Sequence, residues 1–147
     1  MLAVLQRVGS SSVSVDGEEV AAIGPGLNIL LGVLEGDTEA DVDKLLAKIL
    51  PLRIFADEEG KMNHSLLDVG GELLVISQFT LAASVKKGRR PSFDAAARPA
   101  HAEQLYRRFI DKAALSVPVR HGVFGAHMEV RIDNDGPVTI LIDSRTL

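Results

Sequence analysis

Cysteine and tryptophan are both absent from the 147-residue chain, and aromatic residues make up only 4% of it. Without cysteine the protein has no disulfide, no thiolate metal ligand and no thiol nucleophile, which is compatible with a cytosolic protein. No apolar run reaches the roughly 18 residues that a membrane-spanning helix needs, and the first residues lack the pattern of a signal peptide. We therefore expect a cytoplasmic protein that does not associate with membranes.

An excess of positive charge is also missing, since 16 Lys and Arg residues stand against 20 Asp and Glu residues and give a net charge of −4. Nucleic-acid-binding domains usually carry a basic balance, so any contact with RNA has to be made by a local basic patch. Hydrophobic residues at 46% and charged residues at 24% are ordinary values for a globular protein. The length suits one compact domain over residues 1–147.

The common catalytic motifs are absent as well. The sequence contains no Walker loop, no G-x-G-x-x-G, no G-x-S-x-G and no H-E-x-x-H. The four histidines, none of which has the spacing of a metal ligand, are His64, His101, His121 and His127. We expect the protein to work without a metal or another cofactor.

Apolar periodicity predicts about seven strands and two helices. The predicted strands cover residues 2–15, 20–23, 27–34, 53–55, 73–79, 128–132 and 137–142. The first helix begins after Thr38, with Asp41 completing a capping box, and ends before Pro51; the second covers about residues 99–115. Because the strands come in hairpins before and after each helix, we predict an α+β fold. Its mainly antiparallel sheets form a barrel-like or sandwich core, with two main helices packed outside.

The segment Ser77-Gln78-Phe79-Thr80-Leu81 directly follows the apolar strand that begins at Leu73. Three hydrogen-bonding side chains at the end of a strand, next to a loop, are typical of a binding site. The same composition is also found at strand ends without a function, and the residues alone do not decide between the two interpretations.

A second unusual segment is Asn134-Asp135-Gly136-Pro137-Val138-Thr139. All of its first four residue types favour turns, so a hairpin turn is the simplest interpretation. Proline at the first position of the closing strand, however, removes a donor where a ladder should start. A Gly-Pro bond adopts the cis form at low cost, and a cis bond here would turn two carbonyl oxygens toward one side.

These two segments, in this order, resemble the signatures of the D-aminoacyl-tRNA deacylases. Further matching segments are Leu5–Val8, Gly60–Asn63 and Arg90–Phe93, so the resemblance runs from Met1 to the last strand. It implies a homodimer with the active site at the subunit interface, where Gly136 and cis-Pro137 of one subunit enter the pocket of the other. Their carbonyl oxygens would hold the substrate's α-ammonium, and the main chain would exclude L side chains. Glycine, including glycine mischarged on alanine tRNA, would pass.

The resemblance also implies roles for individual residues. The catalytic segment would be Ser77, Gln78, Phe79 and Thr80, with a main-chain amide near Phe79 donating to the oxyanion and Gln78 and Ser77 assisting. The neighbouring ribose hydroxyl of the substrate would activate water, so that no protein base is needed. Substrate-contacting positions are Gly136, Pro137, Arg7, Met128 and Ala102, with Arg7 bracing the Gly-Pro turn; core packing explains Ala102 and Met128 equally well.

A cluster of positive charge between the two motifs is the best RNA contact in the sequence. It consists of Lys86, Lys87, Arg89 and Arg90, to which Lys61 would add. Charge runs are usually solvated surface, but an acidic protein with an RNA substrate needs such a patch for the phosphates of the acceptor end. Two alternatives remain open: a hydrolase of small esters or amides with Thr80 as nucleophile, and a non-catalytic RNA-binding dimer.

Overall fold

The computed structural model describes residues 1–147 and contains eight strands, three α-helices and two 3-10 turns. The strands are Leu2–Val15 (β1), Glu18–Ile23 (β2), Gly26–Gly32 (β3), Phe55–Ala56 (β4), Met62–His64 (β5), Glu72–Ser77 (β6), Val119–His121 (β7) and Glu129–Asp143 (β8). The helices are Glu39–Ile49 (α1), Leu66–Val69 (α2) and Pro99–Ala113 (α3), and the 3-10 turns are Phe79–Ala82 and Ser144–Thr146.

Six strands form one sheet in the order β2-β1-β3-β6-β7, with β8 paired to β1 and the sheet nearly closed into a barrel. Strand β1 pairs antiparallel with β2, β3 and β8, which confirms the predicted α+β fold with a barrel-like core. Strand β6 lies parallel to both β3 and β7. The hairpin pattern did not reveal these parallel pairings, because a parallel pair is joined by a long crossover rather than by a tight turn. Strands β4 and β5 form a separate small hairpin.

Apolar side chains are buried on both faces of the sheet. On one face, α1 and α3 cover a cluster of 24 buried residues that includes Leu73 and Val75 of β6. On the other face, Leu74 and Ile76 of the same strand belong to a cluster of five buried residues. Burial on both faces explains why β6 appears in the sequence as a continuous apolar run rather than an alternating one.

A buried ion pair fastens the start of β1. The Met1 ammonium donates to Asp37 Oδ1 and to Ser144 Oγ, both at 2.8 Å. Both Met1 and Asp37 are buried. The other oxygen of Asp37 accepts from the Leu34 amide at 2.6 Å. These contacts join β1, the loop before α1 and the turn after β8.

Several predicted features differ from the structure. Strands β5 and β7 and the short helix α2 were not predicted, and the strand predicted over residues 53–55 begins only at Phe55. The strand predicted over residues 73–79 ends at Ser77, and a 3-10 turn follows. The hairpin turn predicted at Asn134–Gly136 is wrong, because β8 continues along β1, with Asn134 opposite Val8 and Thr139 opposite Gln6. Residues 135–138 therefore form a bulge opposite Arg7 of β1. Turn-forming residue types suit such a bulge as well as a hairpin turn, but the chain does not reverse direction.

Helix α1 begins as predicted. The Thr38 amide donates to Asp41 Oδ2 at 2.8 Å, so the capping box is formed. Its four buried residues, Val42, Leu45, Leu46 and Ile49, recur at helical spacing and face the core. Helix α3 starts with Pro99, a residue whose fixed φ and missing amide suit the first turn of a helix. None of the helices has the length and apolar character needed to cross a bilayer.

Candidate active site

A cleft of about 620 Å³ opens beside the carboxyl end of β6. Its walls bring together five residues that the sequence analysis singled out, namely Ser77, Gln78, Phe79, Ala102 and Met128. Ala102 comes from α3, and Met128 immediately precedes β8. The cleft is lined mostly by apolar side chains, with the polar residues of the first motif at one side, which is the usual composition of a small-molecule site.

Local backbone contacts explain why the first motif faces this cleft. The main-chain amide of Gln78 donates to the Leu31 carbonyl of β3 at 2.8 Å, just beyond Ser77, the last paired residue of β6. The chain then turns, and the Phe79 side chain is left 56% exposed. A Cβ atom on Gly32 would lie only 3.0 Å from the Gln78 carbonyl oxygen, so glycine allows the turn to pack tightly against β3.

Thr80 lies next to the cleft but does not line it. Its hydroxyl accepts a hydrogen bond from the side-chain amide of Gln78. A neutral amide donating to the hydroxyl has no capacity to take its proton, and neither a histidine nor a carboxylate is hydrogen-bonded to Thr80. The structure thus shows no general base hydrogen-bonded to the Thr80 hydroxyl.

The Gly136-Pro137 peptide bond is cis, and both residues are exposed outside the cleft of their own chain. Gly136 has a φ of 129°, a conformation that residues with a Cβ rarely adopt. Arg7 lies beneath this segment and is 13% exposed. Its Nε donates to the Asp135 carbonyl at 3.0 Å and its Nη1 to the Ile54 carbonyl at 2.7 Å. Arg7 thereby fastens the bulge of β8 to the segment before β4.

The basic cluster forms a hairpin that follows the first motif directly. Ser84 and Ser92 pair across its base, with amide-to-carbonyl distances of 2.8 and 2.9 Å in the two directions. The four basic residues between them are all exposed and form no ion pair with a carboxylate: Lys86, Lys87, Arg89 and Arg90. Lys61 lies elsewhere, at the β4–β5 hairpin, and pairs with Glu59 at 3.2 Å.

Sequence reasoning missed several cleft residues, among them Phe93, Phe124 and His127. Phe93 belongs to a matching segment, which was the available signal; Phe124 and His127 lie in an irregular stretch without periodicity. Phe124 packs on Tyr106, with ring centroids 5.7 Å apart. Burial raises the pKa of Tyr106 to about 12, and its hydroxyl donates to the Val75 carbonyl at 3.0 Å. Tyr106 therefore supports the cleft wall and is unsuited to proton transfer at neutral pH.

The described residues contain no group of three or more histidine, aspartate or glutamate side chains that would hold a metal. The polar side chains that line the cleft are a serine hydroxyl, a glutamine amide, a guanidinium and an imidazole, from Ser77, Gln78, Arg98 and His127. Such a set can orient a polar substrate and donate hydrogen bonds to a developing negative charge.

Comparison with known proteins identifies the family. The model of the D-Tyr-tRNA(Tyr) deacylase family matches residues 4–143. The chain belongs to this family of hydrolases. It is 63% identical to the D-aminoacyl-tRNA deacylase of Persephonella marina over 147 residues, and 58% identical to that of Aquifex aeolicus over 148 residues, with 100% of both chains covered in each case. The resemblance drawn from the two sequence motifs is confirmed.

Solved structures of this deacylase fold agree with the architecture. The c-Myc DNA Unwinding Element Binding Protein matches with a TM-score of 0.92 at 43% identity, covering 97% of this chain and 98% of that one. A probable eukaryotic D-amino acid tRNA deacylase matches with a TM-score of 0.81 at 20% identity, covering 96% and 97%. The second likeness shows the shared fold alone.

Proposed function

We propose that the protein hydrolyses the ester bond of D-aminoacyl-tRNA in the cytoplasm and releases the free D-amino acid and tRNA. Glycyl-tRNA, including glycine mischarged on alanine tRNA, is a second substrate, and L-aminoacyl-tRNA is rejected. The observation that carries this proposal is that one cleft of a deacylase-family chain is lined by Ser77, Gln78 and Phe79 together with Ala102 and Met128.

The active site belongs to a homodimer in this proposal. Gly136 and Pro137 are exposed and do not line the cleft of their own chain, so they are free to enter the cleft of a second copy. A row of apolar side chains supports the pairing, because Leu141, Val4, Leu30 and Ile76 lie opposite one another across four strands. Leu141 is 69% exposed, and at the other end of the row Ile76 lines the cleft. A copy packed on this row would bury Leu141 and approach the cleft.

Chirality is read by main-chain atoms in this arrangement. The carbonyl oxygens of Gly136 and Pro137 accept hydrogen bonds from the substrate's α-ammonium, and the main chain occupies the space that an L side chain needs. Selection by steric exclusion does not require a pocket shaped for one side chain, so several D-amino acids are accepted. Glycine has no side chain to exclude and is therefore cleaved.

Ester cleavage at this site relies on the substrate and on main-chain donors. The ribose hydroxyl beside the ester relays a proton: as the water oxygen attacks the carbonyl carbon, the hydroxyl oxygen accepts a proton from the water and passes its own proton to the ester oxygen. The main-chain amide of Phe79 donates to the oxyanion, while Gln78 and Ser77 hold the substrate in place. The bond between the carbonyl carbon and the ribose oxygen then breaks, and that oxygen leaves as a hydroxyl that carries the relayed proton.

The exposed hairpin with Lys86, Lys87, Arg89 and Arg90 contacts phosphates of the acceptor end in this proposal. Its position supports the assignment, because its base at Ser84 lies only a few residues after Ser77 of the cleft. Cationic side chains without carboxylate partners release counterions when they meet phosphate, which gives salt-dependent binding. Lys61 lies on the β4–β5 hairpin and is paired with Glu59 at 3.2 Å, so it is left out of this patch.

Thr80 as a covalent nucleophile is the competing mechanism, since its hydroxyl is exposed beside the cleft. Thr80→Ala separates the two, with Thr146→Ala as a control because Thr146 lies on the 3-10 turn after β8. We expect Thr80→Ala to retain measurable activity on D-tyrosyl-tRNA, since every main-chain donor remains. A substrate that ends in a 2′-deoxy adenosine and carries its ester on the 3′ oxygen should react far more slowly.

The nucleophile mechanism makes the opposite prediction. It requires that Thr80→Ala, while folded, is inactive, that an acyl-enzyme accumulates, and that the deoxy substrate is cleaved at the normal rate. That combination would overturn the proposed mechanism. Binding of charged tRNA without turnover by the unaltered protein would instead support the non-catalytic RNA-binding dimer.

A further inference from the structure

Phe93 lies between the basic hairpin and the cleft, and the reaction proposed above gives it no role. Its ring packs edge-on against the ring of Phe79, with centroids 5.1 Å apart and planes at 68°. Both rings line the cleft. Phe79 is the residue whose main-chain amide is proposed to donate to the oxyanion, so Phe93 touches the side chain of that residue directly.

The backbone around Phe93 is held on both sides. Before it, the Ser92 amide donates to the Ser84 carbonyl at 2.9 Å, and the Ser84 amide returns a bond of 2.8 Å. After it, the Ala96 amide donates to the Phe93 carbonyl at 2.9 Å, and Ala97 donates to Val33 beyond the end of β3 at 3.0 Å. Phe93 is therefore attached to the sheet through the segment that follows it.

Phe79, in contrast, has few restraints on its side chain. Its ring is more than half exposed, and the ring of Phe93 is the aromatic group that packs against it. Before Phe79 the chain is fixed by the Gln78 amide bonded to Leu31. Beyond it, the short 3-10 turn is closed by the Leu81 amide, which donates to the Gln78 carbonyl at 3.3 Å, and by the Ala83 amide, which donates to the Thr80 carbonyl at 3.1 Å. The contact with Phe93 is therefore the side-chain restraint that the structure shows on the Phe79 ring.

We propose that Phe93 is a positioning residue: by packing on the Phe79 ring it holds the backbone of Phe79, and with it the main-chain amide, in one orientation beside the cleft. The expected effect of Phe93 on the rate rests on the proposed function, because the orientation of the Phe79 amide affects the rate only if that amide donates to the oxyanion. An oxyanion donor is effective when it is preorganised and costs no rearrangement in the transition state. The packing of Phe93 on Phe79 supplies that preorganisation.

The test compares Phe93→Ala, which removes the ring, with Phe93→Tyr, which keeps it, and with Phe93→Leu, which retains apolar volume. On D-tyrosyl-tRNA we expect Phe93→Ala to lower kcat by up to about tenfold, the size expected from an aromatic pair, with KM within about twofold of the parent. Phe93→Tyr should keep the kcat of the parent, and the kcat of Phe93→Leu should lie between the values for Phe93→Ala and Phe93→Tyr.

A second readout does not depend on activity. The heteronuclear ¹H–¹⁵N NOE of the Phe79 and Thr80 amides should fall in Phe93→Ala and stay at the parent value in Phe93→Tyr. A raised KM with kcat unchanged would overturn the proposal and make Phe93 a substrate contact. Unchanged amide NOEs in folded Phe93→Ala and Phe93→Leu would also overturn it. If the parent protein fails to cleave D-tyrosyl-tRNA, the proposed function fails, and the NOE still decides whether Phe93 restrains Phe79.

Discussion

Replacement of Arg7 by alanine tests the link between β1 and the Gly136-Pro137 segment. The change removes the 2.7 Å bond to the Ile54 carbonyl and the 3.0 Å bond to the Asp135 carbonyl. It also removes a 3.3 Å ion pair with the Asp135 carboxylate, which is 62% exposed and therefore contributes little. Hydrogen bonds from charged donors are worth about 1.5–3 kcal/mol each when buried, and less when exposed.

Because one of the two bonds is partly buried and the other exposed, we expect Arg7→Ala to lower the free energy of unfolding by about 2–3 kcal/mol. For a chain of this length the midpoint of thermal unfolding should fall by about 5–10 °C. The matched control is Arg53→Ala, which removes two exposed bonds to Asn63, at 2.9 and 2.7 Å, without touching the bulge of β8. This control should cost less than about 1 kcal/mol.

The functional effect should exceed what instability explains. Below the melting transition, Arg7→Ala should lose discrimination between D- and L-tyrosyl-tRNA, because the segment that excludes L side chains is no longer braced. Thermal denaturation and initial rates on both substrates measure the two effects, and Arg53→Ala should keep the discrimination of the parent. If Arg7→Ala melts like the parent and keeps the same ratio of rates, Arg7 does not brace the segment.

Three further changes probe other parts of the molecule. Alanine at Lys86, Lys87, Arg89 and Arg90 should raise KM for charged tRNA and flatten its salt dependence without lowering the melting temperature; an unchanged salt dependence would mean that the hairpin is only solvated surface. Asp37→Ala leaves the buried Met1 ammonium unpaired, so urea denaturation should show a loss of about 3–5 kcal/mol, and a loss below 1 kcal/mol would contradict that pairing. The Arg145 side chain holds the pKa of Asp143 at about 2, below its ordinary value of 3.8. The stability from Asp143 is therefore present above about pH 4 and lost as pH falls through 2, and Asp143→Asn should melt with a shallower pH dependence over that window.

Local signals account for the elements that were predicted correctly. Helix α1 was readable because its capping box and apolar stripe lie within one segment, and β6 because its run of apolar residues is continuous. The bulge at Asp135–Val138 was not readable, because Asn, Asp, Gly and Pro favour a hairpin and a bulge alike. Only the pairing of β8 with the whole of β1 decides between them, and that pairing is long-range.

The candidate site likewise has residues that the sequence identified and residues that only the three-dimensional structure brings together. Ser77, Gln78 and Phe79 were identifiable because their segment resembles a family signature; the position of a polar segment after a buried strand did not by itself distinguish a site from an ordinary strand end. Their approach to Ala102 and Met128 depends on how α3 and the segment before β8 pack beside β6, which no local pattern encodes. Phe124 and His127 were missed for this reason. Other residues of the same types have no such position, since Phe109 is buried in the core and His121 is exposed.

The most direct test of the proposed function is the rate of ester loss from D-tyrosyl-tRNA, L-tyrosyl-tRNA and glycyl-tRNA, measured with the same preparation of the protein. Selection by the main chain of Gly136 and Pro137 predicts rapid cleavage of the D-form, appreciable cleavage of glycyl-tRNA and little cleavage of the L-form. Equal rates on D- and L-tyrosyl-tRNA would contradict it.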